Sequence, residues 1–174
     1  MGNAEDKARK VRLVIFDVDG VLTDGGLHFD SEGREHKTFN SLDGHGIRML
    51  LECGIQVAII TGRQSELVNH RMRDLGVELV FQGHRDKRLP FESLLQTTGL
   101  IKDQVAYLGD DLPDLPVMSQ VGFAVAVKNA HEFVKQQADL ITETRGGSGA
   151  ARELTDYILR VQDLLDEKQA SYLK

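Results

Sequence analysis

Several short apolar runs in this sequence are followed at once by side chains that can do chemistry. The groups concerned, in chain order, are Asp17, Asp19, Thr61, Lys87, Asp110, Asp111 and Asp114. Taken singly, each segment is better explained as an ordinary turn than as part of an active site, because aspartate side chains often accept hydrogen bonds from nearby backbone N–H groups. Their recurrence at the ends of successive runs predicts one shared polar site.

The chemistry that such a site supports is magnesium-dependent phosphoryl transfer. Gathering four or more carboxylates is costly without a cation, and ligands that are all oxygen favour Mg²⁺. An aspartate beside this ion is a competent nucleophile toward phosphorus and forms an aspartyl-phosphate. Lys87 and Thr61 would then stabilise the phosphoryl oxygens, while Asp19 would move protons on the leaving and attacking oxygens.

The elements that must position these groups alternate between short apolar runs and longer helical patterns. Predicted strands lie at Val11–Phe16, Gln56–Ile60, Leu79–Phe81, Val105–Leu108, Phe123–Val127 and Leu140–Ile141. Predicted helices lie at Gly44–Cys53, Ser65–Leu75, Pro90–Thr98, Asp114–Val121, Glu132–Gln137 and about Ala150–Asp166. The pattern predicts one α/β domain over residues 1–174, with a parallel sheet covered by helices on both faces. In such a sheet the site lies beyond the carboxyl ends of the strands.

Three segments depart from this alternation. Residues 25–39 contain Leu-His-Phe, Asp-Ser-Glu-Gly and Thr-Phe, a pattern typical of a β-hairpin, and they leave no room for a separate cap domain. The glycine-rich stretch Gly146–Gly149 is either an anion-binding turn or a flexible loop. A polar tail at about 167–174 is expected to fray.

The overall composition excludes several classes of protein. With 174 residues, 41% hydrophobic and 28% charged, the chain suits one folded domain and is neither disordered nor fibrous in composition. Its net charge of −6 argues against a nucleic-acid partner. No apolar run approaches the roughly 20 residues that span a membrane, and no signal peptide is evident, so we expect no membrane partner and a cytoplasmic location. The single Cys53 is expected to be a packed thiol without a redox role.

Together these segments resemble the four motifs of the haloacid dehalogenase superfamily. The motifs are Asp17-Val18-Asp19-Gly20-Val21-Leu22-Thr23-Asp24, Thr61-Gly62-Arg63, Lys87 and Gly109-Asp110-Asp111-Leu112-Pro113-Asp114. From about Val11 to Arg160 the chain is further similar to the phosphatases of 3-deoxy-D-manno-octulosonate 8-phosphate (KDO 8-phosphate) in that superfamily. The segments that carry this second likeness are Phe39-Asn40, Asp43-Gly44, Gly46-Ile47-Arg48 and Gly146-Gly147-Ser148-Gly149-Ala150. The resemblance implies a Rossmann-like sheet of the haloacid dehalogenase type and hydrolysis of KDO 8-phosphate to KDO and phosphate, on the route to lipopolysaccharide.

The resemblance also implies catalytic roles for individual residues. Asp17 is expected to be the nucleophile and a Mg²⁺ ligand. Asp19 is expected to be the general acid and base, and a ligand through its backbone carbonyl. Asp110 would complete the metal ligands of the protein, while Thr61 and Lys87 would hold the phosphoryl oxygens.

Other implied residues support these groups or bind the sugar acid. Asp111 and Asp114 would stand behind the ligands, with Asp114 orienting Lys87 or water at the metal. Guanidinium groups suit both the carboxylate and the phosphate of such a substrate. The residues expected to bind it, some of them from a neighbouring subunit, are Asn40, Asp43, Gly44, Arg48, Gly62, Arg63, Arg71 and Lys87. For Arg48 and Arg71 a plain surface charge on a helix is the alternative.

The assembly expected from the resemblance is a homotetramer in which the hairpins pack together. Leu27, Phe29 and Phe39 would lie in that interface, and the C-terminal tail would reach an adjacent active site. The alternative is a partly exposed hairpin on a monomer. Two other functions stay open, namely a phosphatase for nine-carbon sugar acid 9-phosphates and a non-catalytic tetramerisation domain. The complete set of catalytic side chains argues against the last of these, because assembly does not need them.

Overall fold

A computed structural model describes residues 4–173 and contains a six-stranded parallel sheet. In chain order the strands are β1 (Leu13–Phe16), β2 (His28–Phe29), β3 (Glu35–His36), β4 (Gln56–Ile60), β5 (Leu79–Phe81), β6 (Val105–Gly109), β7 (Phe123–Ala126) and β8 (Leu140–Ile141). The sheet has the order β5-β4-β1-β6-β7-β8, and all neighbouring strands are parallel. All six predicted sheet strands are therefore confirmed, with small shifts at their ends.

The sheet order places β4 and β6 on the two sides of β1. Ile15 of β1 pairs with Ala58 of β4 and with Tyr107 of β6. Every residue of β1 is buried, as expected for the central strand of a sheet covered on both faces. Since the strands are parallel, the residues that follow β1, β4 and β6 emerge at the same edge of the sheet, where the chain order reverses and a crevice opens.

The helices of the described residues flank this sheet. They are α1 (Ala4–Ala8), α2 (Ser41–Glu52), α3 (Glu66–Leu75), α4 (Arg88–Thr98), α5 (Leu115–Met118), α6 (Glu132–Gln137), α7 (Ala150–Val161) and α8 (Leu165–Ala170). Helix α2 packs against α7, and both bury apolar residues such as Ile47 and Leu154 in the common core. Among residues 4–173 no helix has the length and apolar character needed to cross a membrane. The α/β fold class is confirmed, and in the part of the chain that the structure describes no cap domain interrupts it.

The hairpin predicted at residues 25–39 is formed by the antiparallel pair β2 and β3. It is short, and two of its apolar side chains, Leu27 and Phe29, are more than half exposed. Phe39 differs from the expectation, because it is partly buried against the main core of the domain. The structure therefore leaves two of the three predicted interface residues open on the hairpin.

Two predicted helices are wrong in their extent. The segment predicted as one helix from Asp114 to Val121 is a 3₁₀ turn at Leu112–Asp114 followed by the short helix α5. The last predicted helix is broken into α7 and α8 by a turn in which Asp163 has a φ of 60°. The backbone N–H of Leu164 donates to the carbonyl of Leu159 across this turn, which closes α7 as a Schellman motif.

The C-terminal tail, predicted to fray, is folded in the part that the structure describes. Residues 165–170 form α8 and residues 171–173 form a 3₁₀ turn, while Lys174 lies outside the described residues. Lys168 pairs with Glu52 of α2, and the ring of Tyr172 lies 5.3 Å from that of His45 on the same helix. The tail thus rests on α2 of its own chain.

Candidate active site

Three aspartates converge where the central strands end. Asp17 follows β1, Asp110 follows β6, and Asp114 closes the 3₁₀ turn after β6. One carboxylate oxygen from each lies within 4.8 Å of the other two. Asp17 and Asp114 are buried, with exposed fractions of 8% and 1%. The structure therefore brings together Asp17 and Asp110, the two predicted carboxylate ligands, and adds Asp114 to the same cluster.

Lys87 is buried beside this cluster and pairs with two of the three acids. Its Nζ lies 2.9 Å from Oδ1 of Asp17 and 2.6 Å from Oδ1 of Asp114. It also donates to the hydroxyl of Tyr107 at 3.1 Å, and that hydroxyl donates to Oδ1 of Asp114 at 2.6 Å. Sequence analysis missed Tyr107, whose only signal was a phenol in an otherwise aliphatic strand. The expected contact between Asp114 and Lys87 is present, and the hydroxyl of Tyr107 forms hydrogen bonds with both side chains.

Burial and mutual repulsion raise the pKa values of two acids in the cluster. Desolvation, followed by the charge of Asp114, raises the pKa of Asp17 to about 6, although Lys87 opposes the shift. Desolvation, followed by the charges of Asp114 and Asp17, raises the pKa of Asp110 to about 8. Burial by itself would lower the pKa of Lys87, but Asp17 and Asp114 outweigh it and raise that pKa. One lysine cation is therefore too little charge for three neighbouring carboxylates.

The chemistry of these donors fits Mg²⁺. All the ligand atoms are oxygens, as this ion prefers, and a divalent cation would remove the repulsion that raises the acid pKa values. Oδ1 of Asp17 is buried and, among the described residues, accepts no hydrogen bond of good geometry despite its closeness to Lys87. Both oxygens of Asp114 are already used, one by Lys87 and Tyr107 and the other by the backbone N–H groups of Asp110 and Asp111. Asp17 and Asp110 are thus the carboxylates with ligand capacity to spare, and Asp114 supports them.

Glycines make this close packing possible. Gly20 has a φ of +91°, and a Cβ built on it would lie 2.1 Å from Oδ2 of Asp110. A Cβ on Gly146 would lie 1.7 Å from the carbonyl oxygen of Gly20, and Gly147 donates its N–H to Val21 at 2.8 Å. The glycine-rich turn before α7 is therefore packed beneath the segment that follows β1. This close packing on Gly20 accounts for the glycines without an anion and favours a packed turn over a loop without contacts.

A cavity of about 570 Å³ opens above the acidic cluster. Its lining includes all seven groups first singled out in the sequence, together with Gly62, Arg63 and Arg85. Leu27 and Gly25 form the wall that the hairpin contributes. Sequence analysis missed Arg85, which lies in the loop between β5 and α4 and is exposed. The two arginines give the cavity cationic side chains at its rim, where an anionic substrate would enter.

Asp19 lies in the cavity lining but outside the three-acid cluster, and its carboxylate pairs with two cations. Its Oδ1 pairs with Nζ of Lys37, and its Oδ2 lies 3.6 Å from Nε of Arg63. Lys37 also lies 3.3 Å from Glu35 of β3, and Arg63 donates to the same glutamate at 2.7 Å. Neither Lys37 nor Glu35 was predicted from the sequence, because a single lysine or glutamate in a short hairpin carries no periodic signal. Three charged side chains, Lys37, Glu35 and Arg63, thus connect Asp19 with the hairpin and with the segment after β4.

Several residues predicted to bind substrate lie apart from the main cavity. Asn40, Asp43, Gly44 and Arg71 surround a separate cavity of about 10 Å³, which is room for one water molecule at most. The carboxylate of Asp43 accepts the backbone N–H groups of Gly149 at 3.2 Å and Arg152 at 2.9 Å, so it is committed to the start of α7. Arg48 is exposed on α2 and lines neither cavity. Of the predicted binding residues, Gly62, Arg63 and Lys87 are those that the chain itself places in the main cavity.

Comparison with known proteins agrees with this geometry. A family model described as haloacid dehalogenase-like hydrolase matches residues 80–154. The 3-deoxy-D-manno-octulosonate 8-phosphate phosphatase of Escherichia coli strain K12 is 47% identical over 161 residues, which cover 92% of this chain and 86% of that protein.

Solved structures give the same result. The structure of the phosphatase of that name from Yersinia pestis has a TM-score of 0.93 at 46% identity and covers 94% of this chain and 88% of its own. That of the Moraxella catarrhalis phosphatase, in complex with magnesium ion, phosphate ion and KDO, has a TM-score of 0.95 at 40% identity and covers 97% of each chain. The chain therefore belongs to the haloacid dehalogenase-like hydrolases and, within them, to the family of the 3-deoxy-D-manno-octulosonate 8-phosphate phosphatases.

Proposed function

We propose that this protein is a Mg²⁺-dependent phosphatase that hydrolyses KDO 8-phosphate to KDO and phosphate, in lipopolysaccharide biosynthesis. The observation that carries the proposal is the position of Asp17, which lines the cavity with its carboxylate 2.9 Å from Nζ of Lys87 and with one of its oxygens within 4.8 Å of one from the ligand acid Asp110. A carboxylate so placed is suited to attack a phosphoryl group whose charge is balanced on both sides. The 47% identity to a KDO 8-phosphate phosphatase supports the choice of substrate.

In the first half-reaction, a carboxylate oxygen of Asp17 attacks phosphorus and the bond from phosphorus to the sugar oxygen breaks. Asp19 gives its proton to that oxygen, so KDO leaves as a neutral alcohol group and Asp17 carries an acyl phosphate. Lys87 and Thr61, which both line the cavity, stabilise the phosphoryl oxygens. Bound to Asp17, Asp110 and the backbone carbonyl of Asp19, Mg²⁺ would lower the repulsion between nucleophile and phosphate and stabilise charge in the transition state.

In the second half-reaction, water attacks the phosphorus of the acyl phosphate. Asp19, now a carboxylate, accepts the proton of that water, and the bond from phosphorus to Asp17 breaks. Inorganic phosphate leaves, and both aspartates return to their starting states. Asp114 takes part through Lys87, which it orients, while Asp111 lies at the rim and caps the turn at Leu112.

The sugar acid is bound, in this proposal, by the cations at the cavity rim. Arg63 and Arg85 line the cavity, and planar guanidinium groups suit the carboxylate that KDO carries. Gly62 leaves space beside Thr61 for the phosphate, since only the carbonyl of His84 lies near the position of an added Cβ, at 3.8 Å. Four predicted binding residues lie outside the main cavity of their own chain: Asn40, Gly44, Arg48 and Arg71. If they bind substrate, we assign them to the active site of a neighbouring subunit.

Release of phosphate from defined substrates tests the proposed function. The purified protein is incubated with KDO 8-phosphate and, in parallel, with a nine-carbon sugar acid 9-phosphate, each with Mg²⁺ and with EDTA. We expect turnover that needs Mg²⁺ and favours KDO 8-phosphate. A strong preference for the nine-carbon compound would replace the substrate assignment. Absence of metal-dependent turnover on both would favour the tetramerisation-domain alternative.

The proposal includes a homotetramer held by the hairpins and a cytoplasmic location. The half-exposed Leu27 and Phe29 support the assembly, because apolar side chains on the strands of a short hairpin favour association. Light scattering of the purified protein measures the number of chains, and fractionation of cells tests the location.

A further inference from the structure

The charged group around Asp19 contains a lysine that the proposed reaction does not use. The side chain of Lys37 is only 2% exposed, whereas that of its partner Asp19 is 19% exposed and opens to the cavity. A buried ammonium group is costly unless carboxylates pair with it, and Lys37 has two, Asp19 and Glu35. Lys37 is therefore fixed in place by its surroundings and can in turn fix Asp19.

The contacts of Lys37 give Asp19 one defined orientation. Its carboxylate has Lys37 on one oxygen and the guanidinium of Arg63 near the other. Arg63 is 42% exposed and lies at a longer distance, so it is the weaker of the two restraints. Lys37 lies just after β3, which joins the position of Asp19 to the hairpin.

We propose that Lys37 is a positioning residue for proton transfer by Asp19. By pairing with Oδ1, it fixes the side chain of Asp19 at the wall of the cavity and leaves the remaining oxygen free of this contact. Lys37 does not touch the reacting atoms; it acts through Asp19. This inference rests on the proposed function, because it assigns Lys37 to the step in which the sugar oxygen leaves.

Substrates with different leaving groups test this role. A sugar oxygen needs a proton to leave, whereas p-nitrophenolate leaves without one. In Lys37→Met, kcat/KM should fall about 10- to 100-fold on KDO 8-phosphate and less than about threefold on p-nitrophenyl phosphate. The ratio kcat/KM is used because it reports on steps up to departure of the leaving group and omits hydrolysis of the acyl phosphate. Equal losses on the two substrates would overturn the proposal.

Two further variants separate positioning from a purely structural effect. Lys37→Arg keeps a cation beside Asp19 and should recover a large part of the activity on KDO 8-phosphate. In an Asp19→Asn background, Lys37→Met should cause little additional loss, because a residue that acts only through Asp19 has nothing left to position. A full additional loss in that background would also overturn the proposal.

The matched control is Lys7→Met, which removes another lysine that pairs with an aspartate. Nζ of Lys7 lies 2.5 Å from Asp139, which directly precedes β8 and so lies at the amino ends of the strands, away from the cavity. Its loss should therefore leave kcat/KM unchanged on both substrates. Circular dichroism and thermal unfolding establish that each variant is folded; if Lys37→Met is not, Lys37→Gln carries the same comparison. Failure of the wild-type protein on KDO 8-phosphate would refute the proposed function, whereas an active wild type with equal losses in Lys37→Met would refute only the role of Lys37.

Discussion

At the scale of single residues, Asp17 is the group on which the proposed reaction depends. It combines burial, a raised pKa and a lysine at 2.9 Å, features that a surface aspartate lacks. Its side chain also has little to do for the fold, because the segment around it is held by backbone hydrogen bonds such as that from the Asp17 N–H to Leu108. A neutral side chain of the same size is therefore compatible with the fold at this position.

Asp17→Asn is expected to remove turnover and leave the fold intact. The amide has nearly the size of the carboxylate but is a poor nucleophile, so kcat on KDO 8-phosphate should fall by more than about 1000-fold. Phosphate release measures the loss, and thermal unfolding with circular dichroism measures the fold. Near-normal turnover by this variant would exclude Asp17 as the nucleophile.

Gly20 is expected to be essential for the metal site because of the space it leaves. In Gly20→Ala the new Cβ would collide with Asp110, so Asp110 must move and Mg²⁺ should bind about 10- to 100-fold more weakly. Titration with Mg²⁺, followed by calorimetry or by the shift in melting temperature, measures this affinity.

The matched control for that variant is Gly76→Ala. Gly76 also has a positive φ, +78°, but no atom lies within 4 Å of an added Cβ. Both variants carry a backbone strain of about 1–2 kcal/mol, whereas the collision with Asp110 is specific to Gly20. Equal Mg²⁺ affinity in the two variants would contradict the steric argument.

The convergence of the main polar side chains in one cavity could be predicted from sequence, whereas the contacts of their partners could not. Asp17, Thr61 and Asp110 follow parallel strands, whose carboxyl ends share an edge whatever the details of packing. Lys37, Arg85 and Tyr107 reach the same site from a hairpin, a loop and a strand interior. Their positions depend on the path of the chain in three dimensions, which their spacing in the sequence does not predict.

At the scale of helices and strands, Asp43 is a connector between α2 and α7. Its carboxylate accepts two backbone N–H groups at the start of α7, groups that a helix leaves without a partner inside itself. A charged acceptor at that end also interacts favourably with the helix dipole. Sequence similarity placed Asp43 among substrate residues, but the structure gives this side chain a task in the fold.

Asp43→Ala is expected to destabilise the protein. Because the variant leaves one buried and one partly buried N–H group without an acceptor, the free energy of unfolding should fall by about 2 kcal/mol. Denaturant unfolding measures the change. Asp74→Ala, which removes an exposed aspartate from α3, is the control and should be nearly neutral. A neutral Asp43→Ala would refute its role as a cap of α7.

The break between α7 and α8 is the element that sequence patterns could least foresee. Helices commonly end at a glycine in the left-handed conformation, but here Asp163 occupies that position. Gln162, just before it, donates to the carbonyls of Ala8 and Val11 at 3.0 and 2.9 Å, near the other end of the chain. A partner so distant in sequence gives no local signal, and the apolar spacing continues through the break.

At the scale of the whole molecule, the acidic cluster couples stability to pH and to Mg²⁺. Asp110 has its pKa raised from 3.8 to about 8 in the folded protein, so without metal the folded state holds a proton that the unfolded chain has lost. Folding is therefore favoured below the unfolded pKa, and this contribution is lost as the pH rises toward about 8. Asp17 contributes in the same direction up to about pH 6.

The melting temperature in EDTA is expected to fall between about pH 5 and about pH 8. Added Mg²⁺ should counteract the fall, since a ligand at about 100 times its dissociation constant stabilises the folded state by about 2.7 kcal/mol. Scanning calorimetry measures both effects. Asp110→Asn is the control, because it removes one charge of the cluster and should weaken both the pH dependence and the response to Mg²⁺. A melting temperature in EDTA that rises over this range would contradict the raised pKa values of Asp110 and Asp17.

In the proposed assembly the hairpin holds the chains together, and its exposed side chains allow a direct test. Leu27 and Phe29 are 52% and 55% exposed, and burying such apolar area between copies would stabilise an oligomer. The double variant Leu27→Ser with Phe29→Ser should therefore change a tetramer into smaller species, as measured by light scattering. Leu89→Ser with Phe133→Ser is the control, because these residues are 66% and 50% exposed but lie on α4 and α6. Since Leu27 also lines the cavity, the single variant Phe29→Ser tests assembly without changing the cavity lining. An unchanged tetramer in both hairpin variants would place the interface elsewhere.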